Sequence, residues 1–166
     1  MSLIDDVSDL HIEDFSKDIA RVLIFLYEYF PRKMEVYVED INGPDDVDDY
    51  GLHSPRHMAC MSAIVWLAEE GLIRYESLVK QESFDQTVLT KRSYVLLSSI
   101  VKPNDEEKAQ EAADLPHSIL RNRRTRISQI KKALKSGSSE SIKLAVAAFI
   151  HESENPNLRF PIDIEK

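Results

Sequence analysis

Between Met58 and Ala68 only Ser62 is polar. A helix that is apolar on all sides is normally one that is covered on all sides, so this stretch requires the rest of the chain to wrap it. Its ends are marked. Ser54 offers a side-chain oxygen to an orphan amide, Pro55 already has the φ of a first helical residue, and Gly71 suits the position just past the last turn. With Met58, Met61, Ile64, Val65 and Ala68 set toward the core, the opposite line reads Arg56, Cys60, Ala63, Leu67 and Glu70. Leaving large side chains such as Trp66 and Leu67 in water would forgo about 1.5 to 3 kcal/mol each. Cys60, Ala63, Trp66 and Leu67 are therefore the expected dimer or helix-packing face, covered by carboxy-terminal helices, by a second subunit, or by both.

The flanking segments follow from local signals. Residues 1–15 are acidic and poor in apolar side chains, an arm. Ser16 is the expected cap of a helix whose apolar positions Ile19, Val22, Leu23, Phe25, Leu26, Tyr29 and Phe30 keep a helical period until Pro31. Met34 to Ile41 alternates like a short strand, with room for a turn of helix at its end, and an acidic loop runs from Asn42 to Tyr50. Leu72–Glu76 and Gln86–Thr90 read as two strands joined by a polar connection, Ser77–Asp85. Lys91 to Val101 resumes a helical pattern before Pro103. Beyond it, 102–116 is a linker or short acidic helix, 117–151 an αα-hairpin joined at Gly137, and 152–166 an extended tail with an edge-strand pattern at Leu158–Ile164. The expected fold is mainly α with a small antiparallel sheet.

Helix, short strand, turn, helix and hairpin in that order is the plan of a winged helix, here over 16–101. The text "CMSAIVWLAEEGLIRYE" at 60–76 followed by "TVLTKRSYVLL" at 87–97 resembles a bacterial family of winged-helix proteins, many of them uncharacterised. In that pattern a Trp-Leu pair and Glu-Glu-Gly close the third helix, and Leu-Thr ends the second strand of the wing. The resemblance implies a winged-helix-like domain with a helical carboxy-terminal extension. It leaves activity open, because such domains serve both DNA binding and protein docking.

Charge is segregated along the chain. Residues 1–116 carry 11 Lys plus Arg against 24 Asp plus Glu, a net of -13, while 117–166 carry 10 against 5, a net of +5, matching the overall -8. Arg121, Arg123, Arg124, Arg126, Lys131, Lys132 and Lys135 lie on one expected helix with an apolar stripe of Ile119, Leu120, Ile127, Ile130 and Leu134; Arg121, Arg124, Lys131, Lys132 and Lys135 form the adjoining stripe, and Arg123 falls inside the apolar one. Arg121, Arg124, Lys131, Lys132 and Lys135, with Lys80, Lys91 and Arg92 of the wing region, are the candidates for contact with phosphate or with a protein partner. Glu35, Glu39, Asp40, Asp45, Asp46, Asp48 and Asp49 form the acidic counterpart, expected to meet the basic helix within a chain or across a dimer. Helix 58–68 lacks the Arg, Lys, Asn or Gln that base edges require. The expected role is thus a non-enzymatic interaction or regulatory module that self-associates as a homodimer. The alternative is a DNA-binding regulator gripping phosphates through 121–135 and the wing.

Other chemistry finds little support. The four glycines, at 43, 51, 71 and 137, make no phosphate-cradling loop. His53, His57 and Cys60 lie at helical spacing, but no fourth metal ligand is evident, so no metal and no cofactor are expected. Cys60 within an apolar helix is a quiet thiol rather than a nucleophile. The longest apolar run, Leu144–Ile150, is far shorter than the roughly 18 residues of a membrane span, and the acidic start lacks a secretory pattern. The expectation is no membrane contact and a cytoplasmic location. Hydrophobic residues at 43% suffice for a real core.

Overall fold

Helix α1 (Leu10–Tyr29) is the hub of the fold in the computed structural model, which describes residues 9–102 and 116–155. It is followed by β1 (Met34–Tyr37), α2 (Val38–Asn42), α3 (Pro55–Glu69), β2 (Ile73–Arg74), β3 (Ser77–Val79), β4 (Ser83–Leu89) and α4 (Lys91–Ser98). After the segment 103–115 come α5 (His117–Arg123), α6 (Arg126–Ser136) and α7 (Ser139–Ser153). The result is mainly helical with a small antiparallel sheet. The linker or acidic helix expected at 102–116, the extended tail with its edge strand, and most of the amino-terminal arm lie outside the described residues.

α1 begins at Leu10, six residues before the expected cap. Ser16 is buried and its hydroxyl donates to the Ile12 carbonyl at 2.9 Å inside the helix, so it does not cap it. The extension carries a reason: Phe15 meets Trp66 edge-on with ring centroids 5.3 Å apart, so the extra turns fasten α1 to α3. On its other side α1 is covered by α6 and α7, and one core runs continuously from Ile19 to Phe149. Phe30 stacks on Tyr94 at 4.3 Å, and the Tyr27 hydroxyl lies 3.1 Å from Ser98 Oγ, which seats α4 on the end of α1.

β4 is the centre of the sheet. β1 lies along one edge, with Val36 opposite Phe84, while β2 and β3 share the other, with Ile73 opposite Leu89 and Leu78 opposite Phe84. The expected polar connection at 77–85 is therefore largely strand. The three-residue β3–β4 connection, 80–82, is tight: Glu82 N donates to the Val79 carbonyl at 2.9 Å, and Lys80 at φ 50 and Gln81 at φ 57 take the left-handed backbone of a type I′ turn. Thr90 then caps α4 with its hydroxyl. Met34–Ile41 contains both expected alternatives, strand then helix.

Two further expectations are corrected. The line Cys60, Ala63 and Leu67 is a helix-packing face, one of its two expected roles, but it points into the core: these residues are 0%, 4% and 0% exposed, and Ile64 is 0%, whereas Met58, Met61 and Val65, expected inside, are only partly buried. Small side chains at 60 and 63 face α1, and α1 covers this side of α3. The carboxy-terminal helices cover α1 and α4 instead. The single basic helix expected over 121–135 is divided at Arg124–Thr125. Val101 N donates to the Arg124 carbonyl at 2.8 Å and Arg126 N to the Ser99 carbonyl at 2.9 Å, so these backbone groups pair with the end of α4's connection instead of continuing a helix. Thr125 restarts the chain as the cap of α6. The αα-hairpin of α6 and α7 turns at Gly137, φ +67, and α7 runs on to Ser153.

Candidate functional site

At 100° per residue the outward side of α3 centres on Met58, Ser62, Val65 and Glu69, flanked by Ala59, Met61 and Trp66. Ser62, the polar member of the apolar stretch, donates its hydroxyl to the Met58 carbonyl of its own helix at 2.8 Å. Arg56, the basic residue of α3, is occupied as well. Its Nη1 and Nη2 donate to the two carboxylate oxygens of Asp18 at 2.6 Å each, and Asp14 lies 3.6 Å from its Nε. The Asp18 side chain is 1% exposed, and the paired carboxylate raises the Arg56 guanidinium further above its ordinary value. What α3 offers to a macromolecule is a half-buried apolar surface with the exposed carboxylates of Glu69 and Glu70 at its end.

The cationic candidates do not form one patch. Arg121 and Arg123 are exposed on α5, Lys132 and Lys135 on α6. Lys131 reaches Glu28 of α1 at 3.3 Å, Arg126 is buried against Glu152 of α7, and Arg124 is half-buried at the α5–α6 junction. These anchoring pairs go to α1 and α7 and not to the acidic loop at 42–50. Lys80 stands at the β3–β4 turn, while Lys91 and Arg92 begin α4 at the far end of β4, roughly 20 Å away for a seven-residue strand. Arg92 donates to the Glu70 carbonyl at 2.6 Å and so fixes the end of α3. Among the described residues no helix is long and apolar enough to cross a membrane.

A third cluster lies where the acidic loop enters α3. Asp45 Oδ2 accepts from His53 Nδ1 at 2.6 Å, and Asp45 Oδ1 accepts from the Ser54 backbone N–H at 3.2 Å and from the Ser54 hydroxyl. Ser54 Oγ in turn accepts from His57 N at 3.2 Å as the cap of α3. The Ser54 hydroxyl, opposed by burial and seconded by the His53 ring, lowers the Asp45 carboxyl to about 2. The His53 and His57 rings stack at 4.0 Å, and His57 Nε2 donates to the Gln81 carbonyl at 2.7 Å. One ligand atom from each of Asp45, His53 and His57 lies within 4.8 Å of the others, a donor set suited to a transition metal. The sequence pairs His53 with His57 through their spacing. It gives no signal for Asp45, which comes from an irregular loop with no period. Cys60 is not part of this group. It lies under Asp18 and Arg56 instead, and burial pushes its thiol up to about 12.

No family model matches this chain, and no curated protein or solved structure matches it significantly.

Proposed function

We propose that the protein is a non-enzymatic interaction module of winged-helix type that self-associates, with a second copy of the chain as the first occupant of the outward face of α3. The order helix, strand, two helices, hairpin, helix supports the winged-helix reading, as does a sheet in which β4 separates β1 from β2. One observation carries the functional half: the outward row of α3 is Met58, Ser62, Val65 and Glu69. Major-groove readout needs donors such as Arg, Lys, Asn or Gln on that row, and Ser62 has already spent its proton. Partly exposed methionines and valine suit an apolar partner surface. Segregation of charge, -13 over 1–116 and +5 over 117–166, favours a copy of the same chain, since each then brings acid to the other's base.

The alternative reading keeps DNA as the partner and rests on the exposed cations Arg121, Arg123, Lys132 and Lys135. Fluorescence anisotropy with a mixed-sequence duplex at two salt concentrations separates the two. On the interaction reading no binding is seen at low salt. Phosphate contact by those four cations would instead give a log affinity falling against log salt with a slope of about -4.

A further inference from the structure

We propose that Asp45, His53 and His57 form a binding site for a divalent transition metal of the zinc class, with a water completing the shell. His57 carries the argument. Its side chain is 1% exposed, its Nε2–H is committed to the Gln81 carbonyl, and its Nδ1 is a buried nitrogen with no hydrogen-bond partner. A neutral imidazole that donates from Nε2 holds a lone pair on Nδ1. That lone pair faces Asp45 Oδ2 at 3.6 Å, acceptor against acceptor, an arrangement that leaves a buried polar atom uncompensated. A cation between them removes the conflict. Ligand atoms about 2.0 to 2.1 Å from a tetrahedral metal stand roughly 3.4 Å from one another, close to the 3.6 Å between His57 Nδ1 and Asp45 Oδ2, while the 2.6 Å hydrogen bond from His53 Nδ1 to Asp45 Oδ2 has to open as the ion replaces its proton.

The surroundings have the form that a metal site needs. Ligating histidines normally donate their other ring N–H to a carbonyl or carboxylate, which fixes tautomer and ring direction, and His57 does so toward Gln81. Asp45 is held by the Ser54 amide and hydroxyl through Oδ1, which leaves Oδ2 for the ion. The Asp45 side chain is 1% exposed and that of His53 15%, so the ion would sit in a largely dry site with one rim near solvent. His53 Nδ1 now donates to Asp45. On coordination that proton leaves Nδ1 and the ring takes one up on Nε2 through solvent, so the imidazole stays neutral. Two imidazoles and one carboxylate favour zinc-class ions over calcium or magnesium, which select oxygen ligands.

The site would join three parts of the fold: the connection between α2 and α3 through Asp45 of the acidic loop and His53 beyond it, the start of α3 through His57, and the β3–β4 turn through Gln81. Between the two loop ligands the chain displays Tyr50, which is 90% exposed, and Asp48 Oδ1 accepts from the Tyr50 and Leu52 amides at 2.9 and 2.8 Å. Metal loading would therefore stiffen the loop that carries this aromatic side chain. The site does not depend on which macromolecule occupies α3.

The test uses the tag-free full chain stripped with a chelator and then titrated with ZnCl2 or CoCl2. One equivalent of Zn2+ binds, and Co2+ gives the visible d–d bands of a tetrahedral site. Asp45→Asn and His53→Gln each weaken Zn2+ binding at least tenfold. As a readout that needs no variant to fold, the imidazole 15N resonances of the wild-type chain shift at Nδ1 of His53 and His57, with His57 Nε2 still protonated. A Kd weaker than about 1 mM overturns the proposal. So do Zn2+-induced shifts confined to His11, His117 or His151.

Discussion

Asp18 and Arg56 bind each other through two parallel hydrogen bonds of 2.6 Å, across the contact between α1 and α3. The carboxylate is 1% exposed and the guanidinium 34%, so the acid depends on the base far more than the reverse. The pair also withdraws from α3 the cation nearest its start, which bears directly on what the helix can bind.

Removing that cation strands a buried carboxylate. Arg56→Ala is expected to cost about 3 kcal/mol, the low end of the range for breaking a buried pair because water reaches part of Arg56. Urea unfolding measures it. The double variant Asp18→Leu with Arg56→Met is expected to lose less than Arg56→Ala alone, since it leaves no buried charge behind. An equal or larger loss for the double variant contradicts this reading of the pair.

Cys60, 0% exposed, has its thiol raised from the ordinary 9.0 to about 12, by burial first and by the Asp18 carboxylate second. A group whose folded value is raised contributes its stability in full below the unfolded value and loses it as pH climbs toward the folded one. Wild type is thus expected to lose stability more steeply than Cys60→Ala between about pH 9 and 12. At pH 8 a thiol reagent should leave the native chain untouched and label it fully in guanidinium. Rapid native labelling contradicts the placement of Cys60.

Gly137 holds φ +67 at the turn between α6 and α7, and a Cβ there would meet nothing within 4 Å. The cost of Gly137→Ala is then backbone strain alone, about 1 kcal/mol, read as a fall in Tm of about 3 °C. No change in Tm would mean that the turn relaxes to another conformation.

Much of this architecture is written in short-range chemistry. Ser54 and Pro55 start α3, Gly137 ends α6, and the alternation at Met34–Tyr37 gives way to helix where the side-chain pattern changes. The orientation of α3 was not legible, for a physical reason: a helix apolar all round has no moment, so nothing local distinguishes Cys60 and Leu67 from Met58 and Val65. The small side chains at 60 and 63 decide it by letting α1 approach, and only packing reveals that. The break at Thr125 depends on backbone pairing with Ser99 and Val101, a partner distant in sequence. Asp45 joins His53 and His57 through loop geometry that has no periodic signature.

Sedimentation velocity of wild type and Val65→Glu over a range of concentrations addresses the self-association claim most directly. The expected result is a reversible dimer for wild type and a folded monomer for Val65→Glu, whose carboxylate would have to be buried against the partner's apolar row. A wild-type chain that stays monomeric at every concentration, or a Val65→Glu chain that dimerises as wild type does, contradicts the account.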